Sequence, residues 1–333
     1  MAKEVTIIEY NDSYKEKWDK FVLSESVNGT FLQTRNFLDY HPKGRFKDNS
    51  LIFLNKTTII AVLPAHISKD GEKKVFNSHQ GSTFGGIVVG KKYCRIGYMD
   101  LIFEQFEKYM QDKLFNKVIL KQTGKIYQKN ASELIDYYLF LNGYIDSCEI
   151  GYYINYQNYG EEVINNFSAS RRRDYRYSLK NKFQFKELEK EKEIEEFFKV
   201  LCDNYNKFGK NPVHSLDEIL DFRFVRLRDN VRFYGVSYCD ELIAGGMVFL
   251  FDRNVFHTQY LAVKQEKKDK FVNEFLYTNL IEIAKKEGFA NLSFGTSTLD
   301  GGRVLNKSLA QFKEGFGTQE YVNRTYLKIL NDL

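Results

Sequence analysis

The chain is 333 residues long, a length that favours two domains. Its side chains are 43% hydrophobic and 28% charged, which is the composition of a globular protein. The net charge of +5 is too small for a nucleic-acid coat and suits a protein that meets phosphorylated ligands. No segment approaches the roughly 18 apolar residues of a membrane span, and the four cysteines form no CxxC pair, which argues against a zinc site or a disulfide framework. We therefore expect the cytoplasm.

The first half of the chain contains an ordered series of strand and helix signals. It opens with a predicted pair of strands, Ser50–Asn55 and Ile59–Ile67, joined by a short polar turn. The signals that follow are a strand region at Val75–Val89, a helix at Tyr98–Leu114, a strand at Lys117–Lys121, a helix at Ser132–Leu141 and a strand at Glu149–Tyr156.

The second half repeats this order of elements. The signals are strands at Val231–Ser237, Leu242–Leu250 and Val255–Val263, a helix at Asp269–Glu287, a strand at Asn291–Gly295, a helical turn at Leu305–Lys313 and a strand at Tyr321–Ile329. A repeat of about 180 residues indicates a duplicated domain. The sequence thus predicts an α/β (α+β) fold of two tandem domains, residues 1–157 and 158–333, each a mixed, mostly antiparallel sheet flanked by helices.

A basic helix is predicted at Asn166–Lys182, at the start of the second domain, and it carries a cluster of arginines. A guanidinium group binds phosphate or carboxylate through two parallel hydrogen bonds, so we expect the cluster to bind a nucleotide-sugar diphosphate or a carrier phosphate. The alternative is a solvated basic face paired with neighbouring acidic residues. The arginines are Arg171, Arg172, Arg173 and Arg176.

The repeated order of elements resembles the GNAT acyltransferase fold, and two such halves joined through an arginine-rich helix resemble the Fem-type peptidyltransferases and Fem-like acetyltransferases. The segments that carry the resemblance are FSASRRRDYR (Phe167–Arg176), HTQYLAV (His257–Val263), FGTST (Phe294–Thr298) and LNKSLAQFKEGFG (Leu305–Gly317). The resemblance implies two tandem GNAT-like domains and an N-acyltransferase that acts by direct attack of an amine.

The resemblance also implies catalytic residues. Lys313 matches a lysine that Fem-type enzymes use to stabilise the charged carbonyl oxygen during attack, a role that is strong where water is excluded. His257 lies on the strand that borders the donor cleft of a GNAT fold, and an imidazole has a pKa suited to a general base. A hydrogen-bonded interior histidine is the structural alternative, and Asp300 or Glu314 is the competing base.

The remaining predicted site residues lie in the same segments. Gln259 and Tyr260 share the strand of His257, and alternation places Gln259 on the face of His257 and Tyr260 on the other face. The residues expected to line the substrate cleft are Gln259, Tyr260, Gly295, Thr296, Ser297 and Asn306.

The expected co-substrate is an acyl-CoA, with acetyl-CoA as the first compound to test. GNAT enzymes that use it usually have a glycine-rich turn before the long helix, which holds the pyrophosphate, whereas this chain has KQEKKDK at 264–270. Lysines attract phosphate as point charges, so the predicted cofactor-binding residues are Val263, Lys267, Lys268 and Lys270.

The predicted acceptor is an amino group on a phosphorylated or nucleotide-activated sugar or another cell-envelope precursor. One alternative is an aminoacyl-tRNA-dependent transferase that builds peptidoglycan cross-bridges, in which case tRNA is a partner. The other is a non-catalytic binding protein with a degenerate donor site. No residue pattern indicates an acyl-enzyme nucleophile or a bound metal.

Overall fold

A computed structural model describes residues 4–42, 44–78, 80–207 and 209–330, and the side chains of residues 265, 268 and 269 lie outside that description. The chain divides into two compact units, one comprising Met1–Glu149 with Val322–Leu333 and the other comprising Ile150–Tyr321. Among the described residues, no helix combines the length and the apolar content that a membrane crossing requires.

The strands are numbered in chain order. They are β1 (Thr6–Glu9), β2 (Lys47–Asp48), β3 (Leu51–Asn55), β4 (Thr58–Leu63), β5 (Ala65–Asp70), β6 (Lys73–Ser78), β7 (Val88–Val89), β8 (Lys117–Lys121), β9 (Ile145–Asn155), β10 (Gln184–Glu187), β11 (Val231–Tyr238), β12 (Glu241–Phe251), β13 (Val255–Val263), β14 (Asn291–Thr296), β15 (Thr298–Leu299), β16 (Val304–Leu305) and β17 (Gln319–Ile329).

The α-helices are numbered in the same way. They are α1 (Lys15–Lys20), α2 (Arg35–Leu38), α3 (Ile96–Asp112), α4 (Leu134–Leu141), α5 (Ala169–Ser178), α6 (Glu191–Asn206), α7 (Leu216–Asp221), α8 (Val272–Lys286) and α9 (Lys307–Glu314).

Both units contain the same core motif, which confirms the predicted duplication. In the second unit β11, β12 and β13 are antiparallel neighbours, and β13 then pairs in parallel with β14. In the first unit β5 and β6 are antiparallel, and β6 pairs in parallel with β8. A parallel pair needs a crossover connection, and α3 and α8 supply it in the two units.

The strand that completes each sheet comes from the other half of the sequence. In the second unit β14 pairs antiparallel with residues 151–155 of β9. In the first unit β8 pairs antiparallel with residues 325–329 of β17. The two halves therefore exchange their last strands. We keep the boundary after residue 157 as a proposal for where the duplicated sequence unit ends. The compact units have different bounds because each includes the strand segment that comes from the other half.

Each crossover helix buries one face in the core of its own unit. The amphipathic pattern of α3 places Met99, Phe103 and Phe106 against the buried faces of β3 and β6. In α8 the equivalent residues are Leu276 and Leu280, which pack in the core of the second unit. Burial of these side chains, at about 1.5–3 kcal/mol each, fixes the helices on their sheets.

Proline divides one predicted strand. The run predicted as a single strand at Ile59–Ile67 forms β4 and β5, which are separated by Pro64. Proline lacks the N–H that a ladder requires. As a result, β4 pairs with β3, and β5 pairs with β6.

Candidate active site

The candidate site in the second unit begins where β13 and β14 separate. Their parallel pairing covers only Val255–Asn291, Phe256–Leu292 and His257–Ser293, although β13 continues to Val263. The hydroxyl of Thr258 donates to the carbonyl of Ser293 at 3.1 Å, at the point where the ladder ends. Beyond this point no pairing between the described residues of the two strands is present.

Lys313 reaches the end of β14 from α9. Asn306 starts this helix as its N-cap, with Oδ1 accepting from the backbone N–H of Leu309 at 3.2 Å. The Lys313 ammonium donates to the carbonyls of Gly295 and Thr296, at 3.0 and 2.7 Å. Two of its three N–H groups are thereby used.

The charge of Lys313 lies in the interior of the second unit. The residue is 3% exposed, and no salt bridge joins it to a carboxylate within the described part of the chain. Burial lowers the pKa of Lys313 from 10.5 to about 7. The site therefore presents a cation that gains from any ligand oxygen carrying negative charge.

Gly295 gives the end of β14 its shape. Its φ is +70°, a conformation that favours glycine, and the register of β14 against β9 is irregular between Ser293 and Thr296. The N–H of Gly295 donates to Ser293 Oγ at 3.2 Å. A Cβ at this position would lie 3.6 Å from His257 Cε1, so His257 and Lys313 flank the same glycine.

His257 is buried and neutral. Its Nδ1 lies 3.1 Å from Ser293 Oγ. Burial, followed by the charge of Lys313, lowers the pKa of His257 to about 4, against a smaller opposing effect of a Gln259 hydrogen bond. The structure thus brings His257 and Lys313, two of the predicted catalytic residues, to the same glycine, as an uncharged imidazole beside an ammonium.

The prediction did not include Ser293 and Tyr321. Ser293 Oγ lies 3.2 Å from the hydroxyl of Tyr321, and Tyr321 passes so close to Gly151 that a Cβ there would lie 2.4 Å from Tyr321 Cζ. The available sequence signal was Ser293 itself, because it is a lone hydroxyl between apolar residues of a short buried strand.

The prediction that Tyr260 lies on the face of β13 opposite to Gln259 is wrong. A β-bulge places Gln259 between the register pairs Val248–Thr258 and Met247–Tyr260, which turns Tyr260 to the same side as Gln259. The Tyr260 hydroxyl lies 2.7 Å from His214 Nδ1.

The hydroxyls that follow β14 are buried. Ser297 Oγ and Thr298 Oγ1 have no hydrogen-bond partner within the described chain, which suits groups that meet a ligand or water. Asp300 is exposed in the turn between β15 and β16. Glu314 is also exposed and accepts a hydrogen bond from the Tyr152 hydroxyl at 3.2 Å. The geometry does not select either carboxylate as the base.

The predicted arginines separate into one buried and three outer residues. Arg171 is mostly buried, where it forms a salt bridge with Glu274 of α8 and lies 4.2 Å above the ring of Phe312. Its contacts attach α5 to α8 and α9. Arg172 is half-buried, Arg173 pairs with Asp174 at 3.0 Å, and Arg176 is exposed.

Protein groups contact the residues at the N-terminus of α8. Phe271 precedes it with a left-handed φ of +56° and packs against the Tyr177 ring of α5 at 5.6 Å. The amide of Asn181 donates to the carbonyl of Lys270 at 3.2 Å. The buried carboxylate of Glu274 lies in the first turn, where the helix dipole favours an anion.

The predicted cofactor-binding residues lie just before α8. Val263 is buried in the core of the second unit. Lys267 and Lys270 place their ammonium groups 5.9 and 5.1 Å from the ring centre of Tyr238, on the 3-10 helix Gln265–Lys270. The side chain of Lys268 lies outside the described residues.

The fold matches several solved structures at low sequence identity. The superposition on FemX covers 98% of this chain and 98% of FemX, with a TM-score of 0.69 at 11% identity. A tandem GNAT protein from the clavulanic acid biosynthesis pathway also covers 98% of both, with a TM-score of 0.55 at 8% identity. L-PGS from Bacillus licheniformis covers 82% of both, with a TM-score of 0.56 at 12% identity. No family model and no curated protein matches the sequence.

These likenesses establish the fold. The chain has a Fem-like arrangement of two GNAT-type domains, which confirms the resemblance inferred from the sequence. At identities of about one residue in ten, they carry no site residue across to this chain.

Proposed function

We propose that this protein is an acyltransferase that moves an acyl group onto an amine by direct attack. The observation that carries the proposal is the buried Lys313 ammonium, held by two carbonyls at the point where β13 and β14 separate. A carbonyl carbon attacked there develops negative charge on its oxygen. The third N–H of Lys313 is the group that stabilises it.

The site performs this reaction through preorganisation. Lys313 needs no reorganisation as the tetrahedral intermediate forms, because the Gly295 and Thr296 carbonyls already fix its position. Exclusion of water strengthens its interaction with the oxyanion. A single donor of this kind contributes about 10²–10³ in rate.

The buried carboxylate in the first turn of α8 favours an aminoacyl ester over a CoA thioester as donor. Glu274 occupies the anion position of the helix dipole, and Asn181 and Tyr177 contact Lys270 and Phe271, the two residues that precede the helix. A pyrophosphate held there would meet a carboxylate. The exposed Arg173 and Arg176 on α5 suit the phosphates of an RNA. Aminoacyl-tRNA is therefore the donor that we favour, and acyl-CoA stays the alternative expected from the sequence.

The acceptor follows from the sequence-based expectation. We propose an amino group on a phosphorylated or nucleotide-activated sugar or another cell-envelope precursor. A carrier phosphate would pair with arginine, and Arg172 lies on α5 with part of its surface open.

A transfer assay with two labelled donors tests the proposal. The purified protein is incubated with radiolabelled acetyl-CoA or with bulk tRNA charged with labelled amino acids, in the presence of a panel of nucleotide-activated amino sugars. We expect label in the amide product with one donor, and loss of that label in Lys313→Met. The control is Lys307→Met, an exposed lysine on the same helix. Absence of transfer from both donors would support the non-catalytic reading.

A further inference from the structure

Helix α4 of the first unit is apolar on both of its faces. Its sequence, LIDYYLFL, contains a single charged residue, Asp136. The inner face carries Ile135, Tyr138 and Leu139, which are buried in the core of the first unit. A helix at the surface of a globular protein usually has a polar outer face, whereas a helix that is apolar all round is covered on every side. The sequence of α4 is thus that of a covered helix.

The outer face of α4 is nevertheless exposed. Tyr137, Phe140 and Leu141 are three and four residues apart, so they share one side of the helix, and they are 55%, 72% and 59% exposed. We call these three side chains the α4 face. A side chain of this size has about 150–250 Å² of surface, so the α4 face presents roughly 400 Å² to solvent. Apolar patches of about 300–600 Å² are the largest on a typical monomer and often bind a partner.

Further apolar residues lie on either side of the α4 face. Ile96, at the start of α3, is 66% exposed, and its carbonyl accepts a hydrogen bond from the Tyr138 hydroxyl at 3.2 Å. Ile145 follows α4 at the start of β9 and is 75% exposed. A stable protein–protein interface buries about 800 Å² on each partner. The α4 face supplies about half of that area as an apolar centre, and these flanking residues extend it.

Ion pairs of mixed sign stand at the two ends of α4. Glu133, which precedes the helix and is 82% exposed, pairs with Lys125 at 3.2 Å. Asp146 follows Ile145 and pairs with Arg324. An anionic lipid surface attracts unpaired cations and would repel the two carboxylates. An apolar centre with a polar rim of both signs is instead the composition of a protein–protein interface.

A second copy of the chain matches this charge pattern. In a dimer with a two-fold axis the same patch of both copies meets, so the two α4 helices can lie antiparallel across the axis. The N-terminal end of one helix then faces the C-terminal end of the other. Glu133 of each copy comes to the end that carries Arg324, and Lys125 comes to the end that carries Asp146. The helix dipoles are also opposed in this arrangement, which is favourable.

We propose that the α4 face is the interface of a symmetric dimer, with Phe140 as its central anchor. Phe140 is the most exposed of the three side chains, and a large aromatic residue at the centre of an interface contributes most of the binding free energy. The interface takes no part in the acyl transfer proposed above, so it can be tested without a substrate.

Sedimentation equilibrium of the full chain over a range of concentrations tests the dimer. We expect a monomer–dimer equilibrium in the wild-type protein, with a dissociation constant of about micromolar or below. Phe140→Lys places a charge at the centre of the interface and should weaken the dimer by at least about 30-fold. The control is Val225→Lys, which changes a 63% exposed apolar residue of the second unit and should dimerise like the wild type. Because both side chains are exposed, dilute samples of both variants should keep the wild-type unfolding midpoint.

Hydroxyl-radical footprinting locates the interface. Oxidation of Tyr137, Phe140 and Leu141 should fall at the concentration at which the dimer forms, while oxidation of Val225 stays constant. A wild-type protein that remains monomeric, a dimer that Phe140→Lys leaves intact, or protection that spares the α4 face would each overturn the proposal. A monomer that sediments with vesicles of phosphatidylcholine and phosphatidylglycerol would overturn it as well, and would assign the face to a lipid surface.

Discussion

The side chain of Lys313 carries its charge where water has little access, and this makes stability depend on pH. Its pKa is about 7 in the folded protein and 10.5 when exposed. Below both values each state holds the proton. Between them only the unfolded state holds it, so folding stability rises with pH, by about 1.4 kcal/mol per pH unit at most.

Urea unfolding measures this effect. From near pH 6 to near pH 9, the free energy of unfolding of the wild-type protein should rise relative to Lys313→Met by about 2–3 kcal/mol. The variant has no group that titrates at this position, so other titrations cancel in the comparison. A constant difference across this pH range would show that Lys313 keeps an ordinary pKa.

At this scale the sequence pointed to two ionisable residues but not to the groups that contact them. Lys313 and His257 were identified through the segments that they occupy. Ser293 and Tyr321 were missed, because a hydroxyl in a short strand acquires a role only when another strand is placed beside it. Tyr260 was assigned to the wrong face because alternation assumes a regular strand, and the bulge at Gln259 breaks that period.

At the scale of elements, one buried ion pair fixes α5. Arg171→Ala would leave Glu274 buried without its partner and remove the cation above Phe312. We expect a loss of about 3–5 kcal/mol in the free energy of unfolding. Arg176→Ala on the same helix removes an exposed side chain and should change stability by less than about 0.5 kcal/mol.

Chemical denaturation of the two variants decides the role of Arg171. Equal and small losses would show that the pair contributes little, and that Arg171 remains a candidate for binding a phosphate. A large loss in Arg171→Ala alone would assign it to structure, leaving the outer arginines as ligand candidates.

Most elements were predictable from local pattern, but their ends were not. The helix predicted at Asp269–Glu287 begins at Val272, because Phe271 adopts a left-handed conformation before it. The basic helix predicted at Asn166–Lys182 forms only over Ala169–Ser178. Apolar spacing identifies a helix, whereas its ends depend on backbone conformations and caps that spacing does not specify.

At the scale of the whole molecule, the exchange of last strands ties the two halves together. Residues 1–157 alone would lack the β17 segment that pairs with β8, and residues 158–333 alone would lack the β9 segment that pairs with β14. Each would expose an unpaired strand edge. We expect neither fragment to unfold cooperatively alone, and a mixture of the two to recover cooperative unfolding.

Circular dichroism during thermal unfolding checks this expectation. Independent, cooperative unfolding of either fragment would show that the exchanged strand is dispensable. The duplication was predictable because each half repeats the order of elements. The exchange was not, because local pattern shows that a strand exists and does not show which strand will pair with it.

The central claim is that Lys313 stabilises the oxyanion of an acyl transfer, and the kcat of Lys313→Met at saturating substrates tests it most directly. The account predicts a loss of about 10²–10³ in kcat with little change in KM, while Lys307→Met keeps the wild-type value. A loss of less than about tenfold in a folded Lys313→Met protein would remove Lys313 from the chemistry and contradict the account.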